Sequence, residues 1–401
     1  PLTTPQSTQK KTKREYVRVC VDPAYVPEKE EDNHLIPVWL GTQRNQLSWE
    51  GTKLWAGCQL NLIYPQEDGD IIRPELVILE PDCLVDITTI ASCFEDYGTS
   101  PYALLLHRMK EPQSTGAILL GNLAGQMLDE ELNNNTPNPV PYKDCALRFM
   151  RRNALALLAC PEKISDLHKN AQEQQMNIRS TINTLEKEEI SFDREKALLE
   201  PSFFCEMLGL QGRMDFLQED YKVLIEQKSG KKDFTTQGHQ EKHYVQMLLY
   251  QALLHYSFGI GNKNISSYLL YSKYSNGLLK EGSAPQLLRE AIELRNQIVW
   301  IEYMLSRGGS RLLERLTPQM LRTNPNITDR FWERFCLPTL SHSLGSLQKA
   351  SPLAKEYFHR MTTFVAREHL LSKIGTPNRE GSGLAALWNC NVEEKQSAGN
   401  I

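Results

Sequence analysis

The sequence predicts a mixed α/β protein, and three observations lead to that class. Two short apolar runs, "GRMDFLQ" and "KVLIEQKSG", read as a strand pair, and a strong helix pattern, "GHQEKHYVQMLLYQALLHYSF", and a further β-rich run, "NISSYLLYSKY", follow them. The N-terminal part holds short apolar runs separated by Gly, Pro and Asp. Long helix-period segments make up most of the remainder.

In chain order, residues 1–30 are rich in Thr, Gln, Lys, Pro and Glu and read as a flexible tail. Residues 31–90 carry "LIPVWLG", "GCQLNLIY" and "PELVILE", expected strands of a β-rich region. Residues 91–285 form the expected core. They hold helix patterns in "SPYALLLHRMK" and "STGAILLGNLAGQMLDEELNNN", then a mostly helical insertion at about 143–200. Within that insertion a long, mixed-charge helix is expected from Ile164 to Glu200. Residues 286–401 are expected to be a mainly helical extension.

The 401 residues suffice for two or three domains, and 40% hydrophobic with 23% charged residues is ordinary for a globular chain. A formal charge of −4 excludes a chain that is basic throughout, so any nucleic-acid contact must be local. No apolar run approaches the roughly 20 residues of a membrane span. The N-terminus is polar rather than apolar, so no signal peptide is expected. The initial Pro and the abrupt polar end point to a piece of a longer protein. The nine cysteines are scattered, with no C-x-x-C pair, which argues against a zinc site or a disulfide framework and for a reducing cytoplasm. The sequence has no G-x-x-x-x-G-K-[ST] phosphate loop.

The strand pair carries the chemistry. A short loop centred on Glu219 and Asp220 would set Phe216 opposite Val223, Asp215 opposite Leu224, Met214 opposite Ile225 and Arg213 opposite Glu226. Met214, Phe216, Val223, Ile225 and Gln227 then share one face, and Arg213, Asp215, Leu224, Glu226 and Lys228 the other. Asp215 and Glu226 become diagonal neighbours, about 7–8 Å apart at the backbone. Two such carboxylates repel unless one is protonated or a cation sits between them. A hard ion such as Mg²⁺ suits the pair, and Lys228 would support negative charge growing at a phosphodiester. The bland alternative is an exposed salt-bridge face pairing Arg213 with Glu226 and Asp215 with Lys228. On the helix that follows, His239, His243, Gln246 and Tyr250 fall on one stripe. For the two histidines alone, a half-exposed helix face is the simpler reading.

The stretches "GLQGRMD", "IEQKSG" and "KHYVQMLLY", in that order, resemble the PD-(D/E)XK nucleases of the RecB type. They are most similar to the nuclease part of the eukaryotic replication helicase–nuclease and its bacterial relatives. The resemblance covers roughly residues 200–255. It implies a restriction-endonuclease-like αβββαβ core, Mg²⁺ or Mn²⁺ dependence and cleavage of DNA, with single-stranded ends or flaps as the expected substrate. Asp215 and Glu226 would be metal ligands, with the Gln227 carbonyl a third, Lys228 the catalytic lysine, and Gln246 and Tyr250 the trailing motif. Arg213, Lys231, Lys232 and His243 are the candidate nucleic-acid contacts.

Upstream the sequence departs from that family's pattern. Ser100 stands before Pro101 where many relatives have a cluster-binding Cys, and no C-x-x-C group occurs near the end, so no iron–sulfur cluster is expected. Gly125 stands where a metal-binding His would follow Gly121. Gln126, Asp129 and Glu200 are the candidates to compensate, with Glu200 preferred. The resemblance also implies a helicase motor in the same longer chain or complex. A cytoplasmic setting is expected, nucleoid-associated if bacterial. A second hypothesis keeps the nuclease-like fold as a DNA- or partner-binding module without cleavage. Two arginine sets, Arg148/Arg151/Arg152 and Arg307/Arg311/Arg315, and two aromatic residues, Trp49 and Trp55, are weaker nucleic-acid candidates for which solvated faces and core packing are the simpler readings.

Overall fold

The computed structural model describes residues 14–20, 35–42, 54–109, 115–134, 138, 140–189, 191–233 and 238–376, with single positions 383, 393 and 397. Trp49 and most of the expected N-terminal tail lie outside the described residues. The architecture is mixed α/β, with several sheets and many helices. Among the described residues no helix is long and apolar enough to cross a membrane. The chain divides into two compact units.

The first unit comprises Pro1–His107, Phe204–Leu210 and Pro285–Ile401. The expected strands form here as Ile36–Thr42, Leu60–Ile63 and Leu76–Leu79, and Arg14–Val19, placed by the sequence in a flexible tail, is a strand instead. Arg14–Val19 pairs antiparallel with Ile36–Thr42, and Leu60–Ile63 pairs antiparallel with Leu76–Leu79. The long helices Pro285–Ser306 and Pro352–Ile374 supply most of its helical mass. Arg295 is fully buried. A buried guanidinium is tolerable only when its donors are met. It donates to the carbonyls of Gly209, Leu79, Glu80 and Cys83, and its neighbour Asn296 bridges the Leu79 N–H and the Val77 carbonyl.

The second unit comprises Arg108–Phe203 and Gln211–Ala284. A five-stranded sheet runs through it in the order Ala197–Leu199, Phe216–Gln218, Val223–Lys228, Ser266–Tyr271, Leu278–Glu281. The central strand, Val223–Lys228, is apolar over its first half, Val223 to Ile225, and is buried up to Gln227. It pairs antiparallel with Phe216–Gln218 and parallel with Ser266–Tyr271. A parallel pair needs a crossover, and helix Glu241–Phe258 provides it, closed by Gly259 in the left-handed conformation (φ 69°). Phe216, Val223, Ile225, Tyr268 and Leu270 face a core that includes Leu119, Leu123 and Met127 of helix Gly116–Leu132 and Ile178, Ile182 and Leu185 of helix Ile164–Glu188.

Three local expectations are corrected. The long helix ends at Glu188 rather than running to Glu200. Gln218, fully buried, accepts from the Asp193 N–H and donates to the Ser191 carbonyl, both at 2.8 Å, and draws the chain onto the sheet edge as strand Ala197–Leu199. The stretch around Asp215 is not one strand. Strand Leu210–Arg213 ends, Met214 and Asp215 form a bend, and strand Phe216–Gln218 begins anew. Finally, Phe216 pairs with Ile225, and Leu217 with Leu224, a register two residues from the expected one. The turn spans 219–222, with Tyr221 left-handed (φ 59°) and its N–H on the Gln218 carbonyl. A shift of two leaves every side chain on its expected face.

Candidate active site

The second unit gathers Asp215, Glu226, Lys228, Gln246 and Tyr250 by three separate devices. Period-2 alternation puts Glu226 and Lys228 on the sheet face opposite Ile225. The bend at Asp215 frees its side chain to act as a strand would: Asp215 Oδ2 accepts the Gln227 backbone N–H at 2.7 Å. The last strand pair is Phe216 with Ile225, so Asp215 and Glu226 are the next residues along on the two sides of the hairpin. Helix Glu241–Phe258 then lays Gln246 and Tyr250, one turn apart, over that face, both buried.

The contacts form a connected chain. Lys228 Nζ donates to Glu226 Oε1 at 2.7 Å and to Gln246 Oε1 at 2.8 Å. Gln246 Nε2 donates to the same Glu226 Oε1 at 2.7 Å and also lies 3.2 Å from the Tyr250 hydroxyl. Tyr250 Oη donates to the Arg213 carbonyl at 2.6 Å, tying the helix to the segment that leads into Asp215. The exposed salt-bridge face of the bland reading is not what forms. Glu226 is only 3% exposed, and Lys228 pairs with it rather than with Asp215.

The electrostatics follow from burial. The Glu226 carboxyl is pushed up, first by burial and then by Asp215. Asp215 is raised by burial, with Lys228 and the Gln227 N–H pulling it back. Asp129, on helix Gly116–Leu132, is pushed up to about 6 by burial and then by Glu200 and Asp215. The acids of this region therefore feel one another as like charges. Glu226 Oε2 is buried with no hydrogen-bond partner. An ionised, buried oxygen without a donor is costly, and a cation is the natural remedy. Among the described residues no group of three or more His, Cys, Asp or Glu side chains is gathered into a metal cage. A carboxylate oxygen without a donor, beside a second acid, suits a hard ion held by one or two carboxylates and several waters.

The other expected residues fall in different places. Glu200 adopts a left-handed backbone (φ 47°), donates its N–H to the Asp215 carbonyl at 3.2 Å, and turns its carboxylate to Arg213 at 3.3 Å, a half-exposed pair. Gln227 sends its side-chain amide to the Ala124 carbonyl, on the opposite side of the strand from Glu226. Gln126 is engaged with Glu130 and Cys145. Lys231 is exposed, whereas Lys232 is buried and donates to the Asn276 carbonyl at 2.7 Å, so its ammonium faces protein rather than solvent. His243 meets the Tyr271 hydroxyl at 2.9 Å and is held neutral, its pKa lowered to about 3 by burial and then by Lys228. A neutral ring offers no charge to a phosphate. Arg148 pairs with Glu130 and Arg311 with Glu356, while Arg307 lies over the rings of Trp55 and Tyr303. Trp55 packs against Tyr303 with ring centres 4.8 Å apart.

One group of residues had no sequence signal. Gln174, Asn177 and Ser272 hydrogen-bond around the end of the Lys228 strand. Gln174 and Asn177 come from a helix whose polar composition reads as solvated, and Ser272 directly follows strand Ser266–Tyr271.

Comparison with known proteins adds a partial match. The family model of DNA replication factor Dna2 matches residues 45–219, less than half of the chain. The matched stretch includes Asp129, Glu200 and Asp215 and stops before Glu226 and Lys228. Among solved structures, one from Eubacterium rectale named "Putative exonuclease" aligns at 12% identity with a TM-score of 0.34, covering 57% of this chain and 83% of that one. No curated protein matches.

Proposed function

We propose that this chain is a divalent-metal-dependent DNA nuclease domain of the PD-(D/E)XK, RecB-like type, hydrolysing phosphodiester bonds on single-stranded ends or flaps. The observation that carries the reading is the Asp215–Glu226–Lys228 set around a buried Glu226, one of whose oxygens is left without a donor. The match to DNA replication factor Dna2 supports a setting in DNA replication, repair or recombination. A helicase motor in the same longer chain or complex, and a cytoplasmic or nucleoid-associated location, belong to the same proposal.

Asp215 and Glu226 would hold Mg²⁺ or Mn²⁺, with Asp129 and Glu200 near enough to add to the negative field. The bound ion would polarise the scissile phosphate and lower the pKa of the attacking water. Lys228, already fixed by Glu226 and Gln246, stands ready to neutralise charge that develops on the phosphoryl oxygens. Gln246 keeps Glu226 and Lys228 in register with each other. Tyr250, whose own pKa is raised by burial, stays a hydroxyl donor and fixes the Arg213 carbonyl. Exposed Arg213 and Lys231 are the contacts for the nucleic-acid backbone.

The absence of a three-acid cage among the described residues favours a second reading, a nuclease-like module that binds DNA or a partner without cutting. Incubation of labelled single-stranded DNA with Mn²⁺ decides between them. Cleavage that is abolished by EDTA and by Lys228→Ala supports the nuclease. Binding without cleavage supports the module.

A further inference from the structure

The end of the strand that carries Lys228 is fixed from two helices. Gln227 reaches the Ala124 carbonyl of helix Gly116–Leu132 at 3.2 Å. Beside it stands Gln174 of helix Ile164–Glu188, only 3% exposed. Its Nε2 donates to the Ser229 carbonyl at 3.1 Å, and its Oε1 accepts from the Ser272 hydroxyl at 2.7 Å. Ser272, fully buried, returns its own backbone N–H to the Lys228 carbonyl at 3.0 Å. Asn177, one turn along the same helix, donates to the Ser272 carbonyl at 2.9 Å.

Both polar ends of the Gln174 amide are therefore used, and both lead to the backbone on either side of the Lys228–Ser229 peptide. A planar amide with two opposed bonds fixes direction as well as distance. Regular pairing with strand Ser266–Tyr271 runs out at Lys228, so beyond that residue nothing in the ladder holds the chain. The lysine side chain must span from this end to Glu226 and Gln246 with bonds of 2.7 and 2.8 Å. A small rotation of the last peptide would swing a four-carbon stem away from both.

We infer that Gln174 is a positioning residue: through Ser229 and Ser272 it orients the backbone of Lys228 so that the ammonium sits on Glu226 and Gln246. This gives the polar helix Ile164–Glu188 a task in the site. The consequence for cleavage rests on the nuclease reading above, whereas the consequence for lysine position does not.

The test uses the full chain with Gln174→Met, which keeps the side-chain shape and removes both bonds, and Ser272→Ala as a milder second variant. Gln175→Met is the control. Gln175 is a buried glutamine on the same helix that donates to the Val140 carbonyl at 3.2 Å, away from the strand end. Two quantities are read: the rate of reductive methylation at Lys228 by mass spectrometry, and kcat and KM for single-stranded DNA with Mn²⁺. Gln174→Met and Ser272→Ala are expected to methylate Lys228 at least fivefold faster than Gln175→Met at matched thermal stability. Displacement of a catalytic group by about 1 Å can cost on the order of 100-fold, so kcat should fall at least tenfold with KM unchanged. Methylation of Lys228 no faster than in the Gln175→Met control overturns the inference. Faster methylation with undiminished cleavage upholds the positioning and removes Lys228 from the chemistry.

Discussion

Asp215→Asn should make the protein more stable while ending its proposed activity. The substitution is nearly isosteric, and the amide oxygen can still accept the Gln227 N–H that Asp215 Oδ2 now takes at 2.7 Å. The fold therefore loses no hydrogen bond at the bend. It does lose a like-charge contact. Asp215 and Glu226 are the residues next to the last strand pair, Phe216 with Ile225, and cross-strand neighbours there lie roughly 5 Å apart at Cβ. At an effective dielectric of about 20, two unit charges at that separation repel by about 3 kcal/mol. The attraction of Asp215 to the Lys228 ammonium, lost with it, offsets part of this. A gain of about 1–2 kcal/mol remains for the variant at pH 8, with both acids ionised. It should shrink as pH falls through about 7 and Glu226 takes up a proton. Urea unfolding at pH 8 and pH 6, without added metal, measures it. Cleavage of labelled DNA should drop by about 10²–10³-fold or more, the usual scale for losing one charge-stabilising group. A variant less stable than the parent at pH 8, or one that cuts at the parental rate, would refute the reasoning.

Three other outcomes follow from the same geometry. Asp129 is raised to about 6 from an unfolded value near 3.8. Its neutral form favours folding, and that contribution is full below about pH 4 and lost as pH rises through 6. Asp129→Asn should therefore stabilise at pH 7.5 by on the order of 1 kcal/mol after solvent screening, and by about half as much at pH 5. Urea midpoints at the two pH values check this, with equal shifts counting against it. A Cβ built at Gly125 meets nothing within 4 Å. Gly125→His should thus be accepted, with a few tenths of a kcal/mol gained in helix propensity, and Mn²⁺ binding followed by calorimetry should tighten. Phe216→Ala, at a fully buried ring against Phe192, should cost about 3–5 kcal/mol by urea unfolding.

The parts of this molecule legible in its sequence are those fixed by short-range periodicity. The two faces of the hairpin follow from alternation alone, so Phe216, Val223 and Ile225 could be assigned to the core before any register was known. Glu226, Lys228, Gln246 and Tyr250 announced themselves by spacing on one strand and one helix. What escaped depends on tertiary contacts. Nothing in "GRMDFLQ" marks the bend at Met214 and Asp215, because Gln227, twelve residues away, completes it. The register moved because Tyr221 takes a left-handed conformation that Asn or Gly would have signalled and Tyr does not. Gln218 ends a helix thirty residues upstream of itself by capturing Ser191 and Asp193. Lys232 looks solvated by type and is buried by an Asn276 carbonyl that no local pattern reveals. Gln174 and Gln175 are the clearest case: buried amides in a polar helix read as surface until their backbone partners are seen.

Crystals of the protein soaked in Mn²⁺, examined by anomalous scattering, would test the metal site most directly. The account predicts one strong peak about 2.1 Å from carboxylate oxygens of both Asp215 and Glu226, with the oxygen of Glu226 that lacks a donor as one of the ligands. A fully loaded crystal whose only manganese peaks lie elsewhere, with that oxygen still bare, would contradict it.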